Sequence, residues 1–539
     1  MAADREFNVR DFGAVGDGST LDTDAINRAV EACSAGGGGR VLLPKGHYLS
    51  GTVHLRSKVE LFLAEGAVLM GTTNLDLYQT LAATNASPEL PVSRWHRALV
   101  LGQGAHDISI AGQGVIDGQH VFDPRGEERM RGPHTIILGS CSNVVLRDVL
   151  MTNAGNYALL FFFTDAVTVT NATFAAGWDG VHFRGSPRRW CHDVLITGCR
   201  FYTGDDSIAG SYWTNVVITN CVINSSCNGV RLIGPALRSV IARCDFPGPG
   251  VHPHRTSGAA RRTNMLAGIC LQPSAWGGMP GPLDDFRIED ITMKNVAAPL
   301  HLATRAGNPA GRITVERVRA TGVYRAPCSV ESWGEARFDE VVLRDVQVDF
   351  EGGGSPADAR LPVRMPGVDA RKLPAWGFYA RGVNRLRLEN VRLGCERDDA
   401  RPMFLADGLG LLALDRFDFS RPAAMKDWMS LTNVEAIVLR ETDLPLASAR
   451  CVALKGIAGS ADGRFVAGRD FRAIVTVTNA AAAGLAKIEL AAAGLNLHRW
   501  LWVGPTARQE VSFPDLKAPT SGEIELVSGG VKERIRVEP

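Results

Sequence analysis

The 539-residue chain lacks an excess of charge: 58 Lys and Arg against 57 Asp and Glu leave a net charge of +1. With no basic field there is little to hold nucleic acid or an anionic membrane surface. The pairs Arg188-Arg189 and Arg261-Arg262 are too small to change that. No apolar run approaches the ~18 residues of a membrane span. The 11 cysteines are an odd number with no C-x-x-C pair and no tight Cys/His cluster, so neither a disulfide framework nor a metal site is expected. The run Gly36 to Gly39 precedes a strand-like segment and lacks Gly-Lys-Ser/Thr, which makes it a turn and not a phosphate loop. No cofactor is implied. The opening residues Met1 to Glu6 lack the apolar core of a signal peptide. That is the expectation for a cytoplasmic protein, or for a periplasmic or secreted one after signal removal.

What the chain has instead is repetition. Apolar/polar alternation ending in a short polar corner begins at Val144, Val167, Val194, Val216 and Ser239, with steps of 23, 27, 22 and 23 residues. Further copies begin at Phe286, Ile313, Val341, Leu386, Leu411 and Ile437. A period of this size with β-type alternation predicts an all-β solenoid of parallel strands stacked rung on rung. Cys199, Cys221 and Cys244 hold the same place in three successive copies, and are expected to form a buried ladder of small side chains.

Three regions are expected. Residues 1–50 form an N-terminal cap with a helix over Thr23–Cys33 that Thr23 or Asp24 can cap. Residues 51–455 form the parallel β-helix, and 456–539 a C-terminal β-sandwich, an accessory module. Two interruptions, Pro247 to Leu266 and Gly352 to Trp376, are long enough to build a binding face.

The chemistry lies in two acidic turns, Gly177-Trp178-Asp179-Gly180 and Gly204-Asp205-Asp206-Ser207. One Asp-Gly turn is ordinary turn chemistry. Two at matching places on adjacent rungs, ~4.8 Å apart, put three carboxylates within reach of one sugar. Glycosidic cleavage needs such a set, one carboxyl protonated and another ionised. Alternation points His182, Arg184, Arg231, Cys270 and Gln272 outward along the same sheet, and Glu331 and Trp333 are expected to extend that face. Of the tryptophans near strand ends and loops, Trp213 and Trp276 are candidates to stack on sugar. His252-Pro253-His254 reads as a substrate or solvent contact, since no third metal ligand accompanies it.

The opening FNVRDFGAVGDG, the following segment through FLAEGAVL, the element Gly112 to Gly118 and the turn Gly204-Asp205-Asp206 resemble family 28 glycoside hydrolases, over roughly residues 5–445. The resemblance implies a right-handed parallel β-helix and hydrolysis with inversion. It also implies Asp205 as general acid, with Asp179 and Asp206 activating water. The family's Gly-His-Gly falls on Cys227-Asn228-Gly229, so Asn228 stands for its histidine. Its carboxylate-gripping Arg-Ile-Lys falls on Cys270-Leu271-Gln272, both basic positions neutral. A neutral sugar at the reacting subsite follows, because an unpaired carboxylate is costly to bury. Asn228 and Gln272 would then bind its hydroxyls. The expected partner is a poly- or oligosaccharide. Competing readings are a β-helix polysaccharide lyase or epimerase, disfavoured by an outward stripe without lysine, and a non-catalytic carbohydrate-binding β-helix.

Overall fold

The computed structural model describes residues 5–442 apart from 84–89, 91–94, 257–260 and 427, and then the backbone of the strands between 458 and 537. The chain forms two compact units, residues 1–326 with 365–371, and residues 327–364 with 372–539.

The first unit is a parallel β-helix. The repeat starts stack residue on residue, Val144 on Val167, Val167 on Val194, Val194 on Val216, Val216 on Ser239, Ser239 on Phe286 and Phe286 on Ile313. The polar corner of each copy has a conformational cause. Four residues after each start, Asp148, Asn171, Gly198, Asn220, Arg243, Asp290 and Arg317 all adopt positive φ. Gly, Asn and Asp tolerate that left-handed bend best, so five of the seven corners carry one of them. Inside, like residues stack: Phe174 on Phe201 and Phe161 on Phe183, each pair with ring centroids 4.7 Å apart. Cys199, Cys221 and Cys244 are buried one above another and reduced, their thiols directed at backbone carbonyls.

The strands already begin within the first fifty residues, where Gly39–Leu43 pairs in parallel with Val59–Leu63. The helix α1 runs Thr23–Ala35 and buries Ala25, Ile26, Ala29, Val30 and Cys33. Its start differs from expectation: the N-cap is Asp22, whose carboxylate turns back to accept from Val15 and Gly16 N–H groups at 2.6 and 3.0 Å. Thr23 Oγ1 accepts from Gly51 N–H instead. The glycine run after α1 is a turn, with Gly37, Gly38 and Gly39 at positive φ.

In the second unit, strands Phe338–Gly352, Phe378–Arg397, Phe404–Asp415 and Met429–Arg440 also stack in parallel. One repeat start is corrected: Leu386 pairs with Leu412, not Leu411, and Leu412 is the buried residue. Two adjacent leucines satisfy the alternation almost equally, and only pairing distinguishes them. Beyond these strands the pairing turns antiparallel, with Ala458–Arg464, Phe471–Thr478 and Arg508–Phe513 in one sheet. Strands Gly484–Ala492, Leu495–Val503, Gly522–Ser528 and Val531–Val537 pair antiparallel as well. The sandwich packing expected there rests on side chains outside the described residues, as does the boundary near 455. No helix among the described residues is long and apolar enough to cross a membrane.

Candidate active site

Five stacked strands of the first unit position the site: β1 (Leu159–Phe162), β2 (Val181–Arg184), β3 (Ile208–Ser211), β4 (Asn228–Leu232) and β5 (Ala267–Leu271). Leu159, Val181, Ile208, Val230 and Ile269 form one inward column and are all buried. Alternation then makes Leu160, His182, Ala209, Arg231 and Cys270 the outward column. Two residues before each inward position lie Tyr157, Asp179, Asp206 and Asn228, so the two acidic turns coincide on adjacent rungs. Backbone bonds lock the stack: Ala158 N–H donates to Asp179 O, Gly180 N–H to Asp206 O and Ser207 N–H to Asn228 O, at 2.9–3.0 Å. Asp205 sits one residue earlier, and an oxygen from each of the three carboxylates lies within 4.8 Å of the others.

These acids lie on the floor of a cleft of about 790 Å³ that Arg131, Tyr157, Arg184, Arg231, His254 and Trp276 also line. Both interruptions of the repeat contribute walls, the first through His254, Thr256 and Arg262, the second through Val368 and Asp369. Asp179 Oδ2 is 2.7 Å from His182 Nδ1. Asp205 accepts from Arg131 Nη2 at 3.3 Å and has His254 Nε2 at 3.5 Å. Asp206 Oδ1 accepts from the Asn228 backbone and side-chain N–H groups at 3.0 and 2.8 Å, with Arg231 Nε 3.7 Å from Oδ2.

The environments separate the three acids. Burial and then the charges of Asp205 and Asp206 push the Asp179 carboxyl well above the usual carboxylate range. Burial also pushes at Asp205, but the His254 hydrogen bond and the Arg131 charge outweigh it and hold that carboxyl below the usual range. Asp206 is raised by burial, against the opposing charge of Arg231. Burial and nearby Arg184 keep His182 well below the usual imidazole value, so it is neutral.

Asp205, Cys227 and His254 also approach within 4.8 Å of one another. Spacing alone would suit a cation. The local charge is instead balanced by Arg131 and Arg231, and burial keeps Cys227 a thiol.

Several expected substrate contacts take other places. Asn228 is fully buried and spends its amide N–H on Asp206, so it orients an acid and does not face the cleft. Gln272 is fully buried with Nε2 donating to Gly367 O at 2.6 Å, under the segment 365–371. Trp213 is a core residue, 0% exposed and edge-on to Phe183 at 6.0 Å, because its strand register turns it inward. Glu331 and Trp333 lie in the second unit, where Trp333 Nε1 donates to Glu331 Oε2 at 2.6 Å and Arg381 lies over the ring; neither lines this cleft. Trp276 does line it, 63% exposed, with the Arg231 guanidinium 5.7 Å from its ring. His182, Arg184 and Arg231 line it too.

Sequence reading missed Arg131, Tyr157 and Asp369. Arg131 lies in an irregular loop, over the Trp178 ring at 3.9 Å. Tyr157 stacks on His182 with ring centroids 4.7 Å apart. Its signal was available: it precedes the strand β1 by the same two residues that separate Asp179 from β2. Nothing in the sequence joins Asp369 to Arg231, 138 residues away, yet their charged atoms are 3.1 Å apart.

Comparison with known proteins finds similar parallel β-helices. Residues 6–231 match the family described as rhamnogalacturonase A/epimerase, pectate lyase-like. An exo-poly-α-D-galacturonosidase of Dickeya chrysanthemi is 26% identical over 259 residues, 38% of this chain and 42% of that protein. A probable polygalacturonase of Vitis vinifera is 27% identical over 309 residues, 55% and 56% of the two chains. The chain thus spans about half the length of these curated relatives. The family 28 exopolygalacturonase structure from Yersinia enterocolitica aligns at a TM-score of 0.51 and 17% identity, over 82% of this chain and 79% of that one. At such identity the likeness is one of fold. The chain folds as a right-handed parallel β-helix and is similar, at low identity and over part of its length, to polygalacturonases of this kind.

Proposed function

We propose that this chain is a glycoside hydrolase that cleaves a poly- or oligosaccharide by inversion, with a neutral sugar at the reacting subsite. The observation that carries the reading is the carboxylate triad on adjacent turns, in a cleft of sugar-binding size with aromatic and hydroxyl-bearing walls. The triad can supply one protonated and one ionised carboxyl at once, because its members' environments differ in charge. The resemblance supports inversion. Distance argues neither way: oxygens within 4.8 Å lie below the ~6.5–9.5 Å of ordinary inverting pairs.

The neutral-sugar reading is supported by the fate of the carboxylate clamp. Cys270 and Gln272 are both fully buried, and Arg231 is committed to Asp206, Asp369 and the Val368 carbonyl. Arg184 faces the cleft against Tyr157 and Phe162, where an acidic unit beside the reacting one would meet it. A screen of polygalacturonate beside neutral and mixed glycans, with NMR of the first-formed anomer, tests the whole reading. Efficient release of galacturonate would overturn the neutral subsite, and retention would overturn inversion.

The description of the matched family supports the lyase or epimerase reading. Among the described residues no lysine lines the cleft to act beside a uronate. A product absorbing in the ultraviolet, as an unsaturated sugar does, would favour the lyase.

A further inference from the structure

The cations of the cleft floor are unevenly shared among its three acids. Asp205 has Arg131 at 3.3 Å and His254 at 3.5 Å, with the Cys227 sulfur within 4.8 Å. Asp206 has Arg231 at 3.7 Å and two N–H donors from Asn228. Asp179 has no Arg or Lys within 4.0 Å among the described residues, and its partner is His182. That imidazole is 3% exposed, stacked on Tyr157, and its Nε2 has no hydrogen-bond partner among the described residues. Burial and the charges of Arg184, Arg131 and Arg231 oppose a proton there, against the pull of Asp205. Three carboxyls this close, each mostly buried, do not all ionise. Arg131 and Arg184 act on Asp179 only from a distance, and the acid with no cation in direct contact is the one that keeps its proton.

We infer that, in the hydrolysis proposed above, Asp179 held by His182 delivers the proton to the leaving oxygen and Asp205 is the ionised base, the reverse of what the family resemblance implies. His182 donates Nδ1–H to Asp179 Oδ2, which leaves Oδ1 to carry the transferable proton. As the C–O bond breaks, its electron pair stays on the leaving oxygen, which takes the Asp179 proton and departs as an alcohol. Water forms the new bond to the anomeric carbon and gives its proton to Asp205. One water is consumed, and the proton returns from Asp205 to Asp179 through solvent. The directions in which the environment moves the two carboxyls agree with this division. His182 is a positioning residue, since it touches Asp179 and not the substrate bond.

The inference rests on the hydrolase reading but can be tested apart from it. Difference infrared spectra of the full chain at pH 7, without substrate, read which carboxyl is protonated. The expected result is that Asp179→Asn removes a protonated-carboxyl band that Asp205→Asn retains. A band lost in Asp205→Asn instead, or no such band in the parent chain, overturns the assignment. Kinetics give a second reading on dinitrophenyl glycosides of whichever sugar the parent releases, whose leaving group needs no acid. Asp179→Asn is expected to stay within about 10-fold of the parent there, while Asp205→Asn loses ~10²–10⁴-fold; the opposite pattern overturns it. His182→Gln is expected to lower kcat on natural glycans with KM and the dinitrophenyl rate unchanged, whereas equal loss on both substrates would deny it a positioning role. If no glycan is hydrolysed, the hydrolase reading fails, and the spectra still decide where the proton sits.

Discussion

The rungs of the two units use one backbone plan, but the acidic turns of the first unit depart from the charge pairing seen on the rungs of the second. In the second unit, residues facing each other across strands carry opposite signs: Arg381 pairs with Asp407, and Arg344 Nε lies 2.9 Å from Glu389. Its buried Asp399 is satisfied by Arg401 at 2.7 Å and by the Gly354 N–H at 2.8 Å. In the first unit, Asp179 and Asp206 hold equivalent positions on adjacent rungs with Asp205 beside them. Like charges in register destabilise a sheet, and opposite charges stabilise it modestly. A β-helix that needed only stability would use the second pattern throughout. The first is the pattern of a place where, in the function proposed above, stability is given up for chemistry.

The largest effect should come from breaking the crowded set. Asp179→Asn and Asp205→Asn are each expected to lower turnover of a natural glycan by ~10²–10⁴-fold, Asp179→Asn without lowering Tm. Near-full activity in either would remove the triad from the chemistry.

The two tryptophans that the sequence presents as equals should then separate. Trp213→Ala, in the core, is expected to cost ~3–5 kcal/mol of stability by denaturant titration. Trp276→Ala is expected to raise KM while shifting stability by no more than about 0.5 kcal/mol. Equal loss of stability in both would contradict the inward register of Trp213.

A pH series sharpens the contrast further. Because the folded Asp179 carboxyl is raised, the folded chain binds the extra proton above the unfolded value of ~4, and stability falls as pH rises toward the folded value. Asn carries no such penalty. The Tm of Asp179→Asn relative to the parent is therefore expected to climb from about pH 4 upward. A flat difference would mean that Asp179 is not strained by ionisation.

The smallest effect belongs to the matched pattern. Asp407→Asn breaks a half-exposed pair and is expected to cost under about 1 kcal/mol, weakening further in salt, with turnover unchanged. A loss of turnover there would give the second unit a part in catalysis.

The sequence by itself determined the repeat, the inward columns and the coincidence of the two acidic turns. These depend on local periodicity, and in a parallel stack a fixed period carries each residue onto its counterpart in the next rung. The polar corners were equally legible, because left-handed residues favour Asn, Asp and Gly wherever they occur. Only the tertiary structure decided which outward residues face the cleft. Gln272 lies under the segment 365–371, Asn228 turns to Asp206, and Arg131 and His254 arrive from irregular loops to hold Asp205. No period governs loops. Where a loop returns to the sheet is fixed by packing and by charge pairing over more than a hundred residues, as between Arg231 and Asp369. Whether each acid is protonated follows from those returning cations, so the turns that carry the carboxylates are written locally and their ionisation is not.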